Sequence, residues 1–319
     1  MTKAVLYDIV YLKGADIMYD TIIIGGGPAG LTAAIYVRRA GLSALLCEAA
    51  VCGGQIINSP EVDNFPARPH VSGWQLAADL QAQAEEFGAE IKYAAVTGLT
   101  VGEKSKTVHT SSGDIEGRTV IIAAGASHRM LDCEGAARLY TKGVSVCATC
   151  DGAFFRGRET CVVGGGNTAF EDALYLSGLA SKVYLVNRRS VFRAEPKLID
   201  ALRARENVEI LTPYLSHRVF GENRVEGFEI KNAESGEIVS LPVSGVFAAI
   251  GMVPATEAFR GAVELDSAGY IVTDEECRTS VPGVFAAGDV RAKSLRQLVT
   301  AASDGALAAS QAASYLATL

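Results

Sequence analysis

The sequence has no apolar run long enough to span a bilayer. Its start shows no basic segment followed by an apolar core and a cleavage site, so no secretory signal is expected. It carries no excess of positive charge: 29 Lys and Arg stand against 36 Asp and Glu, a net charge of −7 and a pI near 5.3. That balance argues against a nucleic-acid binder, which needs a basic face. Histidine is scarce, with four scattered, unpaired residues (His70, His109, His128, His217). Seven cysteines in 319 residues are too few for a disulfide-stapled secreted scaffold. A reducing, cytoplasmic compartment fits these absences. What the chain does have is 49% hydrophobic residues and a mean hydropathy of +0.21. That is enough to bury a substantial core in one large domain or two smaller ones.

Two cysteines are spaced for chemistry. Cys147-Ala148-Thr149-Cys150 is a C-x-x-C pair with Asp151 directly after it. Such a pair can close a disulfide without rebuilding the backbone, and its surroundings set which thiol ionises. Asp151 is close enough in sequence to give or take a proton when the pair opens. Half of a zinc site is the competing reading. Structural zinc needs four N/S ligands, and no second C-x-x-C or His pair supplies them, so no metal centre is expected. Cys47, Cys52, Cys133, Cys161 and Cys277 read as small core or loop residues.

The strongest local signal begins at Tyr19. The β-branched run Thr21-Ile22-Ile23-Ile24 reads as a buried strand entering Gly25-Gly26-Gly27-Pro28-Ala29-Gly30, a G-x-G-x-x-G turn. A helix follows from Leu31 to Ala40, then a strand from Leu42 to Cys47 that ends in Glu48, eighteen residues after Gly30. The glycines let a pyrophosphate approach the backbone, the helix start adds partial positive charge, and the acid meets a ribose hydroxyl. Strand, turn, helix, strand and acid together mark a dinucleotide site. Gly53 and Gly54 suit further cofactor contact. Gly73 to Phe87 reads as an amphipathic helix, and Thr119 to Gly125 as a buried strand with a glycine exit. Residues 1–17 include a candidate strand over 5–12; Met18 is a second candidate start of translation, and an ordered arm is the other reading.

After the cysteine pair the architecture repeats. Thr160 to Val163 is a strand, Gly164-Gly165-Gly166-Asn167-Thr168-Ala169 a G-x-G-x-x-A turn, Phe170 to Gly178 a helix, and Val183 to Val186 the second strand. This strand ends in Asn187-Arg188-Arg189, with Arg193 close behind, and not in an acid. Guanidinium groups bind a ribose 2′-phosphate that a carboxylate would repel. The first site should therefore take a dinucleotide with a free 2′-hydroxyl, and the second NADPH. Residues 208–239 read as a β-rich connection, and Val243 to Gly251 echoes the strand ending at Gly125. Val284 to Asp289 is the last strand, with Asp289 placed to accept from a sugar-like hydroxyl. Arg296-Gln297 opens an alanine-rich helix to about Leu316. The expected fold is α/β: two Rossmann-like, three-layer ββα dinucleotide-binding domains, the second inserted into the first.

These motifs resemble the bacterial-type, low-molecular-weight thioredoxin reductases, flavin enzymes that use pyridine nucleotide to open a disulfide. The likeness rests on Gly25 to Gly30, Gly54-Gln55, Asn64-Phe65-Pro66, Cys147 to Gly152, Gly164 to Ala169, Arg188-Arg189, Phe192-Arg193-Ala194, Gly288-Asp289-Val290 and Arg296-Gln297. It implies a homodimer with thioredoxin as acceptor, and an NADPH domain that moves relative to the FAD domain. Residues 1–127 and 249–319 would form the FAD domain, with 1–17 as an extra arm, and 128–248 the NADPH domain. FAD would lie on Gly25, Gly27, Pro28, Ala29, Gly30, Glu48, Gly54, Gln55, Asn64, Ala124, Gly125, Gly288, Asp289, Arg296 and Gln297. NADPH would lie on Gly164, Gly166, Asn167, Thr168, Arg188, Arg189, Arg193, Ile250 and Gly251. Cys150 would be the thiol nearer the flavin, Cys147 the one that attacks thioredoxin, and Asp151 the proton carrier. The family commonly has His where Asn187 stands; Asn can still donate to phosphate, so NADPH binding is expected to survive. Residues 291–295 carry no expected role. Other readings on the same fold are a reductase fed by ferredoxin or serving a thioredoxin-like acceptor, a dithiol oxidase, and a non-catalytic flavin redox sensor.

Overall fold

A computed structural model describes residues 18–59 and 61–319. The candidate strand over 5–12 lies outside the described residues. The chain forms two compact units, and each is built from separated stretches. One holds the described residues up to Cys52, Leu80–Ala124 and Thr256–Leu319; the other holds Gly53–Asp79 and Gly125–Ala255.

In the first unit, strand Tyr19–Ile24 pairs in parallel with Ala44–Glu48 on one side and Gly113–Ile122 on the other. Glu90–Tyr93 extends one edge of this sheet, and Val284–Ala286 pairs with residues 120–122. Ile22 and Ile23 are wholly buried, as are Val120, Ile121 and Ile122, because both faces of the sheet are covered. The strand Gly113–Ile122 serves two layers. Its second half joins the parallel sheet, while its first half pairs antiparallel with Lys106–Thr110, which pairs in turn with Val96–Val101. Helices Pro28–Arg39 and Leu298–Leu316 lie against each other. Their approach is close: a Cβ on Gly305 would fall 2.1 Å from the Ala29 carbonyl oxygen.

The second unit repeats the plan. Its parallel sheet runs Val208–Leu211, Lys182–Val186, Glu159–Val163, Gly245–Ala248, Val144–Ser145. Its antiparallel meander is Tyr214–Phe220, Gly227–Asn232, Ile238–Leu241. Phe247 meets Phe155 edge-on at 5.3 Å, and Phe170 meets Phe192 at 5.0 Å, inside the core beneath the helix Asn167–Ser177. The expected three-layer ββα architecture is present in both units. The helix after the second turn starts at Asn167, earlier than the sequence suggests, because Gly166 is already extended at its N-cap. Helix Pro196–Arg203 goes beyond what the sequence pattern indicates; Pro196 at its first position presets the backbone.

Candidate functional site

Both glycine turns are shaped by the strand that returns beside them. Gly25 has φ +105°, and a Cβ there would stand 2.4 Å from the Ala123 carbonyl oxygen. A Cβ on Gly164 would stand 2.3 Å from the Ala249 carbonyl oxygen. Gly27 and Gly166, by contrast, face open space, with no atom within 4 Å of where a Cβ would be. That open surface above a helix start is where a pyrophosphate fits. Gly30 packs so closely on Gly25 that a Cβ would sit 1.9 Å from its carbonyl oxygen. Pro28 opens the first helix, and Ala29 is buried behind it.

Glu48 ends its strand beside the first turn. Its Oε2 accepts the Gly26 amide at 2.7 Å and its Oε1 the Ala50 amide at 3.0 Å. In the same unit, burial pushes the Asp289 carboxyl up, and nearby Lys293 and Arg296 pull it back. Its Oδ1 is buried and has no hydrogen-bond partner. Such an orphan is costly unless a ligand hydroxyl meets it. Arg296 lies over the Tyr270 ring at 4.1 Å. Gln297 caps the last helix, exchanging bonds with Thr300. The open turn and the orphaned carboxylate oxygen fit an FAD pyrophosphate and a polyhydroxyl chain.

Three residues here were missed in the sequence. Asp304 is buried, accepts the Gly288 amide at 3.0 Å, and binds Arg291 at 3.1 Å and Lys293 at 2.8 Å. Residues 291–295, for which the sequence suggests no role, thus supply both cations that neutralise this carboxylate next to Asp289. Only the i, i+11 and i, i+13 spacing from opposite charges hinted at it, and such spacing is common on solvated surfaces.

The second unit carries the cysteine pair. Cys147 and Cys150 form a disulfide, with Cα atoms 5.3 Å apart. Cys147 caps the short helix Ala148–Asp151, and its Sγ accepts the Cys150 amide at 3.2 Å. Strand Val144–Ser145 leads into this helix and delivers a buried Ser145, also missed in the sequence. Ser145 Oγ donates to Asp151 Oδ2 at 2.5 Å and accepts the Cys147 amide at 3.1 Å. Burial raises the Asp151 carboxyl above its ordinary range, and the Ser145 bond partly offsets it. Tyr140 is raised too, by burial and then by the Asp151 charge.

In the second nucleotide turn, Arg188, Arg189 and Arg193 are all exposed, and among the described residues none is paired with a carboxylate. Asn167 accepts the Glu195 amide at 2.9 Å and donates to its carboxylate at 3.1 Å. Thr168 is exposed in the first turn of the helix, and Gly251 has φ +108° beside the half-buried Ile250. Three unpaired guanidinium groups beside an open glycine turn fit the 2′-phosphate of NADPH. Gly54, Gln55, Asn64 and Gly125 also fall in this unit, whereas Ala124 falls in the first. Gln55 donates to the Ala126 carbonyl. The remaining cysteines match their reading: Cys47, Cys52, Cys161 and Cys277 are buried and Cys133 half-buried.

A disulfide that opens and closes needs an electron supply, and dinucleotide turns are the parts that bring one. The class is therefore that of nucleotide-dependent disulfide oxidoreductases. The family profile for pyridine nucleotide-disulphide oxidoreductase matches residues 19–305. The thioredoxin reductase of Listeria monocytogenes is 45% identical over 303 residues, 95% of this chain and 95% of that one. That of Bacillus subtilis is 41% identical over 303 residues, covering 95% and 96%. The crystal structure of thioredoxin reductase from Streptococcus pyogenes superposes with a TM-score of 0.91 at 40% identity, covering 96% of this chain and all of that one. The chain belongs to the pyridine nucleotide-disulphide oxidoreductases, on their bacterial-type thioredoxin reductase branch. The family works with FAD and NADPH, and the disulfide is its redox centre.

Proposed function

We propose that this protein is a thioredoxin-disulfide reductase, passing electrons from NADPH through FAD and the Cys147–Cys150 disulfide to thioredoxin. The carrying observation is the closed disulfide capping its own helix, with a half-buried Asp151 whose carboxyl burial pushes up. Residues 1–127 and 249–319 hold FAD, and 128–248 hold NADPH. Gly25 to Gly30 with Glu48 seat the FAD pyrophosphate and ribose, joined by Gly54, Gln55, Asn64, Ala124 and Gly125. Gly288, Asp289, Arg296 and Gln297 seat its ribitol and ring. Gly164 to Thr168, Ile250 and Gly251 seat the NADPH pyrophosphate, and the three arginines its 2′-phosphate. Held by these residues, FAD would supply two-electron redox chemistry between a nicotinamide and the disulfide.

Two electrons and two protons convert Cys147–Cys150 to a dithiol. The Cys147 thiolate attacks one sulfur of the thioredoxin disulfide, forming a mixed disulfide and releasing a thiolate on thioredoxin. Cys150 then attacks Cys147, restoring the internal disulfide and freeing the second thioredoxin sulfur. The Cys150 amide bond to Cys147 Sγ supports Cys147 as the attacker, because it steadies a thiolate there. Asp151 supplies and recovers the proton, and Ser145 fixes its orientation. The enzyme works as a cytoplasmic homodimer; among the described residues no helix is long and apolar enough to cross a membrane. Cys147→Ser protein should keep its flavin spectrum and lose thioredoxin reduction. Normal turnover by that variant would overturn the assignment.

A further inference from the structure

We infer that Asn187 is the positioning residue that holds the arginine loop of the second nucleotide site in its binding shape, and is not itself a phosphate donor. The inference rests on the reading of that site as the NADPH site. Strand register places Asn187 where Glu48 stands in the first unit. Ile24 pairs with Cys47, and Glu48 follows; Val163 pairs with Val186, and Asn187 follows. The two side chains do different work. Glu48 has carboxylate oxygens turned to the backbone amides of its own turn. Asn187 is 8% exposed, and its Nδ2 donates to the Arg189 carbonyl at 2.6 Å and the Val191 carbonyl at 3.4 Å.

The amide orientation follows from chemistry, since carbonyl oxygens only accept. An amide nitrogen has two hydrogens, and the two carbonyls account for both. No donor remains for a phosphate. The amide group lies against Gly165: a Cβ there would fall 2.5 Å from Oδ1 and 2.9 Å from Nδ2, so the middle glycine of the turn leaves room for this side chain. The loop is tied back to the same glycine at its far end, where the Arg193 amide donates to the Gly165 carbonyl at 2.7 Å. The Asn187 backbone is fixed on both sides, its amide bonded to the Leu211 carbonyl and its carbonyl to the Tyr214 amide. Residues 188–193 thus form a short arch with both feet on Asn187 and Gly165. The arch has little apolar support near its crown, where Val191 is 76% exposed, and Phe192 alone packs inward on Phe170. Removing the two amide bonds should leave the arginines in place in sequence but unordered in space, so that binding must order them.

The test uses the oxidised FAD-loaded enzyme and calorimetric titration with 2′,5′-ADP, with 5′-AMP as the ligand lacking the 2′-phosphate. Asn187→Leu keeps the volume and removes the donor. It should weaken 2′,5′-ADP about tenfold, the equivalent of about 1.4 kcal/mol, and leave 5′-AMP within twofold. Asn187→His, with one ring N–H for one carbonyl, should recover part of the loss; Asn187→Ala, which removes the same donor without adding charge, covers the case in which the Leu variant does not fold and should show the same selective loss. In a background of Arg188→Ala with Arg189→Ala, the Asn187→Leu change should add almost nothing, because its effect runs through those arginines. A loss that adds in full, or no loss at all, would overturn the positioning role alone. Arginine variants that bind 2′,5′-ADP like the parent would sink the 2′-phosphate reading, and this inference with it.

Discussion

The two units start from one plan and first diverge at the end of the second strand. Each runs strand, glycine turn, helix, strand, and in each a returning carbonyl leaves no room for a Cβ on the first glycine. One plan then ends in Glu48 and the other in Asn187-Arg188-Arg189. On the proposed reading, a carboxylate and a guanidinium-bearing arch would meet the same part of a bound ribose with opposite sign. On the same reading, the shared parts would seat a pyrophosphate and the differing parts would choose which nucleotide sits there. A second difference concerns retention. The first unit buries Asp289 Oδ1 without a partner and backs it with the Asp304–Arg291–Lys293 cluster, a setting for a ligand that stays. The second keeps its three cations exposed, a setting for a ligand that comes and goes.

The largest expected effect tests the shared part. Gly25→Ala forces a side chain onto the Ala123 carbonyl at a φ that L-residues rarely adopt. It should cost about 3 kcal/mol locally and yield protein that purifies without yellow flavin. Gly164→Ala should purify yellow and fail to be reduced by NADPH. Absorbance at isolation and anaerobic NADPH titration check both; a colourless Gly164→Ala protein would mean the turns do not act separately.

The next effect tests the divergent part. Asn187→Glu with Arg188→Ala and Arg189→Ala rebuilds the second strand end after the first. The Michaelis constant for NADPH should rise about a hundredfold, the worth of about two charge-assisted hydrogen bonds, and that for NADH should change only a few-fold. Equal effects on both coenzymes would break the comparison.

The retention difference predicts a smaller change. Asp304→Asn removes the charge that pairs Arg291 and Lys293 while keeping an acceptor for the Gly288 amide. It should cost the first unit about 2 kcal/mol and speed FAD loss, because breaking a buried pair strands the partner charge. Flavin release on dilution into urea measures it. An unchanged release rate would remove Asp304 from the account of retention.

How much of this was legible beforehand follows from distance along the chain. The turns, Glu48, the arginines and the cysteine pair are local patterns, in which spacing of a few residues carries the chemistry. Asp304, Arg291 and Lys293 are brought together by a helix folding back, and their charges look like any solvated set in the sequence. Ser145 is one hydroxyl among many until the edge strand sets it beside Asp151. Asn187 was visible as a departure, but its expected bond to phosphate was not what the folded loop does with it. An amide side chain reads the same in sequence whether it faces a ligand or its own backbone.

The smallest effect sharpens the comparison at a position where the two helices differ. Counting from the glycine turns, Asp172 stands where the first unit has Ala33, a wholly buried residue in its helix. Burial, then the neighbouring Glu171 charge, pushes the Asp172 carboxyl from 3.8 to about 7. The folded state therefore holds a proton that the unfolded chain releases near pH 4. Stability falls as pH rises from about 4 to about 7, and the penalty is complete above that window. An asparagine in its place would carry no such penalty, so Asp172→Asn should be the more stable protein at pH 8, by about 1–2 kcal/mol once partial exposure is discounted. The advantage should vanish at pH 4. Hydrogen exchange in the helix Asn167–Ser177 reads this without assuming that the two units unfold together. An advantage that instead grew on acidification would mean that Asp172 is held as a carboxylate, and the helix would then hide a charge partner that its counterpart in the first unit does not need.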